Sequence, residues 1–106
     1  VLSTEKPVTG CVISHTGATA QAWHKDGHNE GLIDVFCPLV TLTPDHGPTE
    51  LIPTSHCNTC ASDSWLSAVA ETEERERGRA AHPVVAPLLQ AGDLLLFDYR
   101  CVHRGG

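Results

Sequence analysis

Short apolar runs separated by glycine- and proline-rich turns are the feature of this sequence that most constrains its fold. Such runs favour β-strands, and many short strands joined by turns favour a sandwich or a barrel. The sequence therefore predicts one mostly β domain over residues 1–106, with strands within residues 8–15, 32–43, 49–53, 83–89 and 94–102. Turns are expected at residues 44–48 and 90–93, where Pro, Gly and Asp cluster.

Two stretches allow a more detailed prediction. Residues 32–43 show no polar face, as in a strand covered on both sides, and Pro38 should place that strand at an edge or at a bulge. Residues 62–77 have helical spacing, with Ser62 or Asp63 as a cap and Gly78 as a terminator. We therefore expect one helix inserted between the strands.

Size and charge exclude several classes of protein. A chain of 106 residues has room for one small core, and a net charge of −6 leaves no basic surface for nucleic acid. No apolar run approaches the roughly 20 residues of a membrane span. Five cysteines are an odd number for a disulfide framework, so reduced thiols and a cytoplasmic location are expected.

A histidine and an aspartate two positions apart, His24 and Asp26, are the first candidates for chemistry. Side chains two apart on an extended backbone point to the same face, so both can reach one cation. They would supply two thirds of the 2-His-1-carboxylate set that holds non-haem Fe(II) with open positions. His28 and Glu30 repeat the spacing, but their loop-like flanks would not fix the ring orientation.

A third candidate ligand, His103, stands at the end of the apolar run 94–102. Facing strands of a barrel bring together residues that are distant in sequence. The predicted fold can therefore join His103 to His24 and Asp26.

Four segments occur in an informative order: AQAWHKDG at residues 20–27, PLVTLT at 38–43, GPTELIPTSH at 47–56 and GDLLLFDYRCVHRG at 92–105. Together they resemble the phytanoyl-CoA dioxygenase-like family, whose members are Fe(II)- and 2-oxoglutarate-dependent oxygenases on a double-stranded β-helix, or jelly-roll, core. The resemblance covers most of residues 8–106. It implies that His24, Asp26 and His103 bind Fe(II). It also implies hydroxylation of a small organic substrate by O₂, coupled to decarboxylation of 2-oxoglutarate to succinate.

The chain departs from the family pattern at two places. Thr54 stands where the family more often has Gly before Ser-His. The family also clamps the far carboxylate of 2-oxoglutarate with an arginine on a last core strand past the distal histidine, and this chain ends at Gly106. A guanidinium holds a carboxylate by two parallel hydrogen bonds. Arg104 is the nearest substitute, and Gln21 and Thr41 are neutral candidates for the same co-substrate.

A jelly roll without its last strand exposes a sheet edge, and exposed edges pair with other strands. We therefore expect either a homodimer through that edge or a piece of a longer polypeptide.

Two other interpretations stay open at this point. A jelly roll that binds metal without binding co-substrate would be an interaction or regulatory module, and a cupin-like metalloenzyme would need three histidines and a glutamate. Separately, Cys57 and Cys60 have the spacing of a zinc or redox pair, although a free pair in a loop needs no ligand.

Overall fold

The computed structural model describes residues 9–57 and 84–106, and within them the chain is mostly β. Four short strands are present: β1 (Ile33–Phe36), β2 (Thr49–Leu51), β3 (Leu95–Asp98) and β4 (His103–Gly105). Two 3₁₀ turns, Pro44–His46 and Ser55–Cys57, lie between the first and third of these strands. The predicted helix at residues 62–77 lies outside the described residues.

The strands pair into two antiparallel sheets of two strands each. In one sheet β1 pairs with β3, with Asp34 opposite Phe97 and Val35 opposite Leu96. In the other β2 pairs with β4, with Glu50 opposite Arg104. No closed barrel is formed by the described residues. Among these residues there is also no helix long and apolar enough to cross a membrane.

A small core cluster lies beside the second sheet. Trp23, Ile52 and Val102 are its buried members, and the Ile52 N–H donates to the Val102 carbonyl at 3.0 Å. Ser55 ties the same two chain segments together, because its hydroxyl donates to the Ile52 carbonyl at 2.7 Å and accepts from the Val102 N–H at 2.8 Å. These contacts fix the backbone that leads into β4.

The predicted strand at residues 8–15 is wrong over its described part. Residues 9–15 form no strand, and the side chains of Val12 and Ile13 are 83% and 72% exposed. β-Branched residues favour a strand only where a neighbouring strand supplies hydrogen bonds and packing. Within the described residues this run has no such strand beside it.

The strand predicted for residues 32–43 is much shorter, and its predicted burial is wrong. β1 ends at Phe36, before Pro38, and its side chains alternate, with Ile33 and Val35 more than half exposed. Pro38 has no N–H to donate, which explains why the pairing with β3 does not continue. One face of β1 is therefore partly buried, and its other face is exposed to solvent.

The apolar run 94–102 is two strands rather than one. After Asp98 the chain turns, because a carboxylate oxygen of Asp98 accepts from the Arg100 N–H at 2.9 Å. Aspartate side chains commonly bond their own backbone two residues on and so start a turn. The chain then enters the second sheet as β4, which contains His103.

The other predicted strands and turns agree at least in part with the structure. β2 confirms the strand expected at residues 49–53, and the turn at 90–93 is closed by the Asp93 N–H donating to the Gln90 carbonyl at 3.0 Å. The turn at residues 44–48 begins with the 3₁₀ turn Pro44–His46. Of the strand expected at 83–89, the described part contributes a single bridge from Val85 to Leu51.

Candidate metal centre

His24 is positioned by the backbone of β4. The segment that contains it runs antiparallel to β4, and His24 and His103 exchange backbone hydrogen bonds of 3.0 and 2.9 Å. Trp23, one position earlier, faces the buried cluster with Val102. Since neighbouring residues on extended backbone point to opposite sides, His24 and His103 share the other side.

Both imidazole rings are oriented by backbone carbonyls. The Nδ1 atom of His24 lies 2.9 Å from the Ala22 carbonyl oxygen, and that of His103 lies 3.1 Å from the Cys101 carbonyl oxygen. A carbonyl only accepts, so each Nδ1 carries the proton and donates it. The Nε2 atom of each neutral ring then has its lone pair available for a metal, as in most histidine–metal sites.

Both Nε2 atoms face the carboxylate of Asp26. His24 Nε2 is 3.8 Å from Asp26 Oδ1, and His103 Nε2 is 3.8 Å from Asp26 Oδ2. These separations exceed hydrogen-bonding distance. One ligand atom from each of the three residues lies within 4.8 Å of the others, which is close enough to surround one ion.

The centre has a closed side and an open side. The His103 side chain is 3% exposed, whereas those of His24 and Asp26 are 39% and 35% exposed. Phe97 of β3 packs against the His103 ring with centroids 4.8 Å apart, and Phe36 of β1 lies edge-on to it at 6.0 Å. The first sheet therefore supplies an apolar wall, and a ligand has access past His24 and Asp26.

A second carboxylate, Asp34 of β1, lies beside the first. The Oδ2 atom of Asp34 is buried with no hydrogen-bond partner. Burial, and secondarily the charge of Asp26, raises the pKa of the Asp34 carboxyl above its usual range.

The donor set fits a non-haem iron. Two imidazoles and one carboxylate are the facial triad of Fe(II) oxygenases, and their solvent-facing side leaves room for further ligands. Within residues 9–57 and 84–106 this is the one group of three potential metal ligands. His28 and Glu30 do not join it; the Glu30 carboxylate instead accepts from the Arg100 guanidinium at 2.9 Å.

The three candidates for binding 2-oxoglutarate have other contacts. Gln21 Oε1 accepts from the Gly105 N–H at 2.9 Å, and Thr41 Oγ1 accepts from the Ala91 N–H at 3.3 Å. The Arg104 guanidinium donates to Glu50 Oε2 at 2.6 Å and lies 4.2 Å from the centre of the Trp23 ring. Arg104 thus lies on the face of β4 opposite His103, and this placement lends its assignment no support. All three assignments stay predictions.

Arg100, which falls within the strand predicted for residues 94–102, lies in the turn between β3 and β4. Its guanidinium holds Asp98 by two hydrogen bonds of 2.9 Å. These bonds lower the pKa of Asp98 well below its usual range, and the pKa of Arg100 is raised. The pair stabilises the turn that leads the chain from the first sheet to His103.

Sequence reasoning missed several residues that support the centre. In the sequence, Phe36 and Phe97 are indistinguishable from other apolar residues, and Asp34 belongs to no motif. Ser55 fell within the family-like segment at 47–56, which was its one available signal. Cys60 lies outside the described residues, so the pairing of Cys57 with Cys60 at a zinc or redox site is not tested by the structure.

The sequence of this chain is similar to those of known dioxygenases. A family model described as phytanoyl-CoA dioxygenase matches residues 8–106. The chain is 31% identical over 100 residues to dioxygenase easH of Epichloe festucae var. lolii, which covers 84% of this chain and 46% of that protein. It is 29% identical over 102 residues to dioxygenase aneA of Aspergillus aculeatus, covering 85% of this chain and 30% of that protein.

A third relative is dioxygenase hkm4 of Aspergillus hancockii, at 28% identity over 110 residues, covering 92% of this chain and 32% of that protein. The chain therefore spans less than half the length of these curated relatives. No solved structure matches it. Because the family model covers nearly the whole chain, and three dioxygenases resemble it over most of its length, the chain belongs to the phytanoyl-CoA dioxygenase family.

Proposed function

We propose that this chain forms the metal-binding part of an Fe(II)- and 2-oxoglutarate-dependent dioxygenase with a jelly-roll core. The observation that carries the proposal is the convergence of His24, Asp26 and His103, with both Nε2 atoms facing one carboxylate. Family membership and the three similar dioxygenases support it. The two small sheets agree with a β architecture.

In this proposal, Fe(II) held by His24, Asp26 and His103 would supply the oxidising chemistry by which O₂ and 2-oxoglutarate hydroxylate a small organic substrate and give succinate and CO₂. The residues of the chain hold the metal and orient the side chains that bind it. Backbone carbonyls keep the two imidazoles in the tautomer that binds metal through Nε2. The phenyl rings of Phe36 and Phe97 exclude water from the buried side of His103.

The test is succinate release from 2-oxoglutarate by the protein supplied with Fe(II). His24→Ala should abolish it, because one of three ligands is lost. His28→Ala is the matched control, since that exposed histidine lies four residues away and outside the ligand group. Equal activity of the two variants would reject the ligand assignment.

Binding of 2-oxoglutarate is tested separately at Gln21, Thr41 and Arg104. A residue that holds the co-substrate should raise the KM for 2-oxoglutarate about tenfold or more when its hydrogen bonds are removed, which corresponds to roughly 1.4 kcal/mol. Gln21→Ala, Thr41→Val and Arg104→Met are the variants to compare. Any variant whose KM is unchanged removes that residue from the proposal.

A metal-binding module without turnover is the second candidate. It is favoured by one observation: Arg104, the nearest substitute for the family's clamping arginine, contacts Glu50 and Trp23. Metal binding that is lost in His24→Ala, together with no succinate release in the presence of substrate candidates, would support the module over the enzyme.

A further inference from the structure

Lys25 lies between the two candidate ligands that are nearest in sequence, His24 and Asp26. Side chains alternate along extended backbone, so Lys25 points away from the two ligands, to the side on which Trp23 enters the buried cluster. Lys25 is half-buried, and its ammonium group donates a hydrogen bond of 3.3 Å to the Ser55 carbonyl oxygen. The segment that carries His24 and Asp26 is thus attached to the 3₁₀ turn that Ser55 begins.

Ser55 is also attached to the segment that carries the third candidate ligand. It is 4% exposed, and its hydroxyl accepts a hydrogen bond of 2.8 Å from the N–H of Val102, one position before His103. The same hydroxyl donates to the Ile52 carbonyl at 2.7 Å. One buried serine therefore contacts both segments that bring ligands to the centre, and Lys25 makes the contact from the first of them.

The backbone between His24 and Asp26 is the part of the centre where such a contact matters. The pairing of this segment with β4 ends at His24, which exchanges backbone hydrogen bonds with His103. Asp26 lies two positions further on, and its side chain is 35% exposed. A hydrogen bond from Lys25 can therefore fix the backbone between the two ligands. Loss of groups that orient metal ligands commonly weakens metal binding.

The charge of Lys25, by itself, is unfavourable beside a metal. An ammonium group repels a divalent cation, so electrostatics alone would favour a neutral residue between His24 and Asp26. Partial burial of the ammonium group adds a further cost unless it has a hydrogen-bond partner. The Ser55 carbonyl is that partner, and the flexible four-carbon stem of lysine allows the ammonium group to reach it.

We propose that Lys25 is a positioning residue of the metal centre, whose hydrogen bond to the Ser55 carbonyl fixes His24 and Asp26 relative to His103. The inference rests on the proposed metal site. It goes beyond that site by assigning a role to the residue between two ligands and to the buried serine that joins their segment to the chain before β4.

The experiment is titration of the metal-free protein with Co(II), followed by visible absorption, which reports both affinity and ligand geometry. Lys25→Met keeps an unbranched side chain and removes the donor, whereas Lys25→Arg keeps a donor that can bond the Ser55 carbonyl. We expect Lys25→Met to weaken Co(II) binding about tenfold or more and to change the spectrum. Lys25→Arg should retain the spectrum and bind within a few-fold of the unaltered protein.

The sign of the change separates positioning from charge. Removal of a nearby positive charge should by itself strengthen Co(II) binding, whereas loss of positioning should weaken it. Unchanged or tighter binding by Lys25→Met would therefore overturn the inference. Equal losses in Lys25→Met and Lys25→Arg would overturn it too, because the retained donor would then make no difference.

His28→Ala is the matched control, because His28 is an exposed residue in the same segment and lies outside the ligand group. It should bind Co(II) as the unaltered protein does. The melting temperature without metal shows whether each variant is folded before the titration. Lys25→Leu, which also lacks a donor, replaces Lys25→Met if the latter fails to fold.

This result is separable from the proposed function. Co(II) binding that His24→Ala abolishes and Lys25→Met leaves intact would reject the role of Lys25 alone. Failure of the unaltered protein to bind Co(II) would reject both proposals.

Discussion

At the scale of single residues, Thr54 has a strained backbone conformation. Its φ of 67° lies in the left-handed region and it is the one non-glycine residue there with a positive φ. A β-branched side chain is strained in that conformation, which Gly adopts readily. The family-like pattern, in which Gly is more frequent before Ser-His, therefore has a physical reason here.

Replacement of Thr54 by Gly should stabilise the protein. Relief of the strain is worth about 1–2 kcal/mol per residue, and the gain is reduced by the greater freedom of Gly in the unfolded chain. We expect a net increase of about 1 kcal/mol in the free energy of unfolding, measured by urea denaturation. Thr49→Gly, in β2 where φ is extended, is the control and should destabilise by a similar amount. A loss of stability in Thr54→Gly would contradict this explanation.

Asp98 should make stability depend on acid pH. Hydrogen bonds from Arg100 lower its folded-state pKa below the ordinary value of about 3.9. Its contribution to stability is therefore complete above that ordinary value and is lost as pH falls through and below it. Asp98→Asn should unfold at lower urea than the unaltered protein at pH 7, and the difference should shrink by pH 3. A difference in urea stability that does not change with pH would reject the role of the charge. Asp45→Asn, at an exposed aspartate, is the control.

At the scale of elements, the first sheet has one face for the metal centre and one for solvent. Phe97 and Leu96 are neighbours on β3, yet Phe97 packs against Phe36 and His103 while Leu96 is 60% exposed. The alternation of a strand assigns them opposite roles. Substitutions at these two residues therefore compare the packed face of the sheet with its exposed face.

Phe97→Ala should destabilise the protein by about 2 kcal/mol, somewhat less than a fully buried phenylalanine, because part of the ring is exposed. Leu96→Ala should change stability by no more than about 0.5 kcal/mol. Phe97→Ala should also weaken metal binding, since the wall behind His103 is lost. Chemical denaturation and Co(II) titration measure the two effects. Similar losses in the two variants would show that the exposed face is packed in solution.

At the scale of the whole molecule, a metal ion would join two distant parts of the chain. His24 and Asp26 precede β1, whereas His103 begins β4, so the ion links residues that are far apart in sequence. A ligand that binds only the folded state stabilises it by mass action. Metal binding at the proposed site would therefore be coupled to global stability.

Addition of Fe(II) without oxygen should raise the melting temperature. At a free metal concentration of one hundred times Kd the gain is about 2.7 kcal/mol. The shift should vanish in Asp26→Ala and persist in His28→Ala, and differential scanning fluorimetry measures it. A shift of equal size in Asp26→Ala would place the bound metal elsewhere.

The sequence by itself predicted the candidate ligand set and determined the β character of the chain. The spacing of His24 and Asp26 puts both side chains on one face of extended backbone, and this is a local property. The position of His103 after an apolar run, together with the four family-like segments, predicted it as the third ligand. These inferences needed only residue types and their order.

Tertiary structure decided the rest. Val12 and Ile13 have strand-forming side chains without a strand, because hydrogen-bonding neighbours are supplied by the fold and not by the residues themselves. The burial of the Asp34 Oδ2 atom and the ion pair of Arg104 with Glu50 depend on which strands pair and in which register. Contacts between residues distant in sequence carry no local signal, so only the folded chain reveals them.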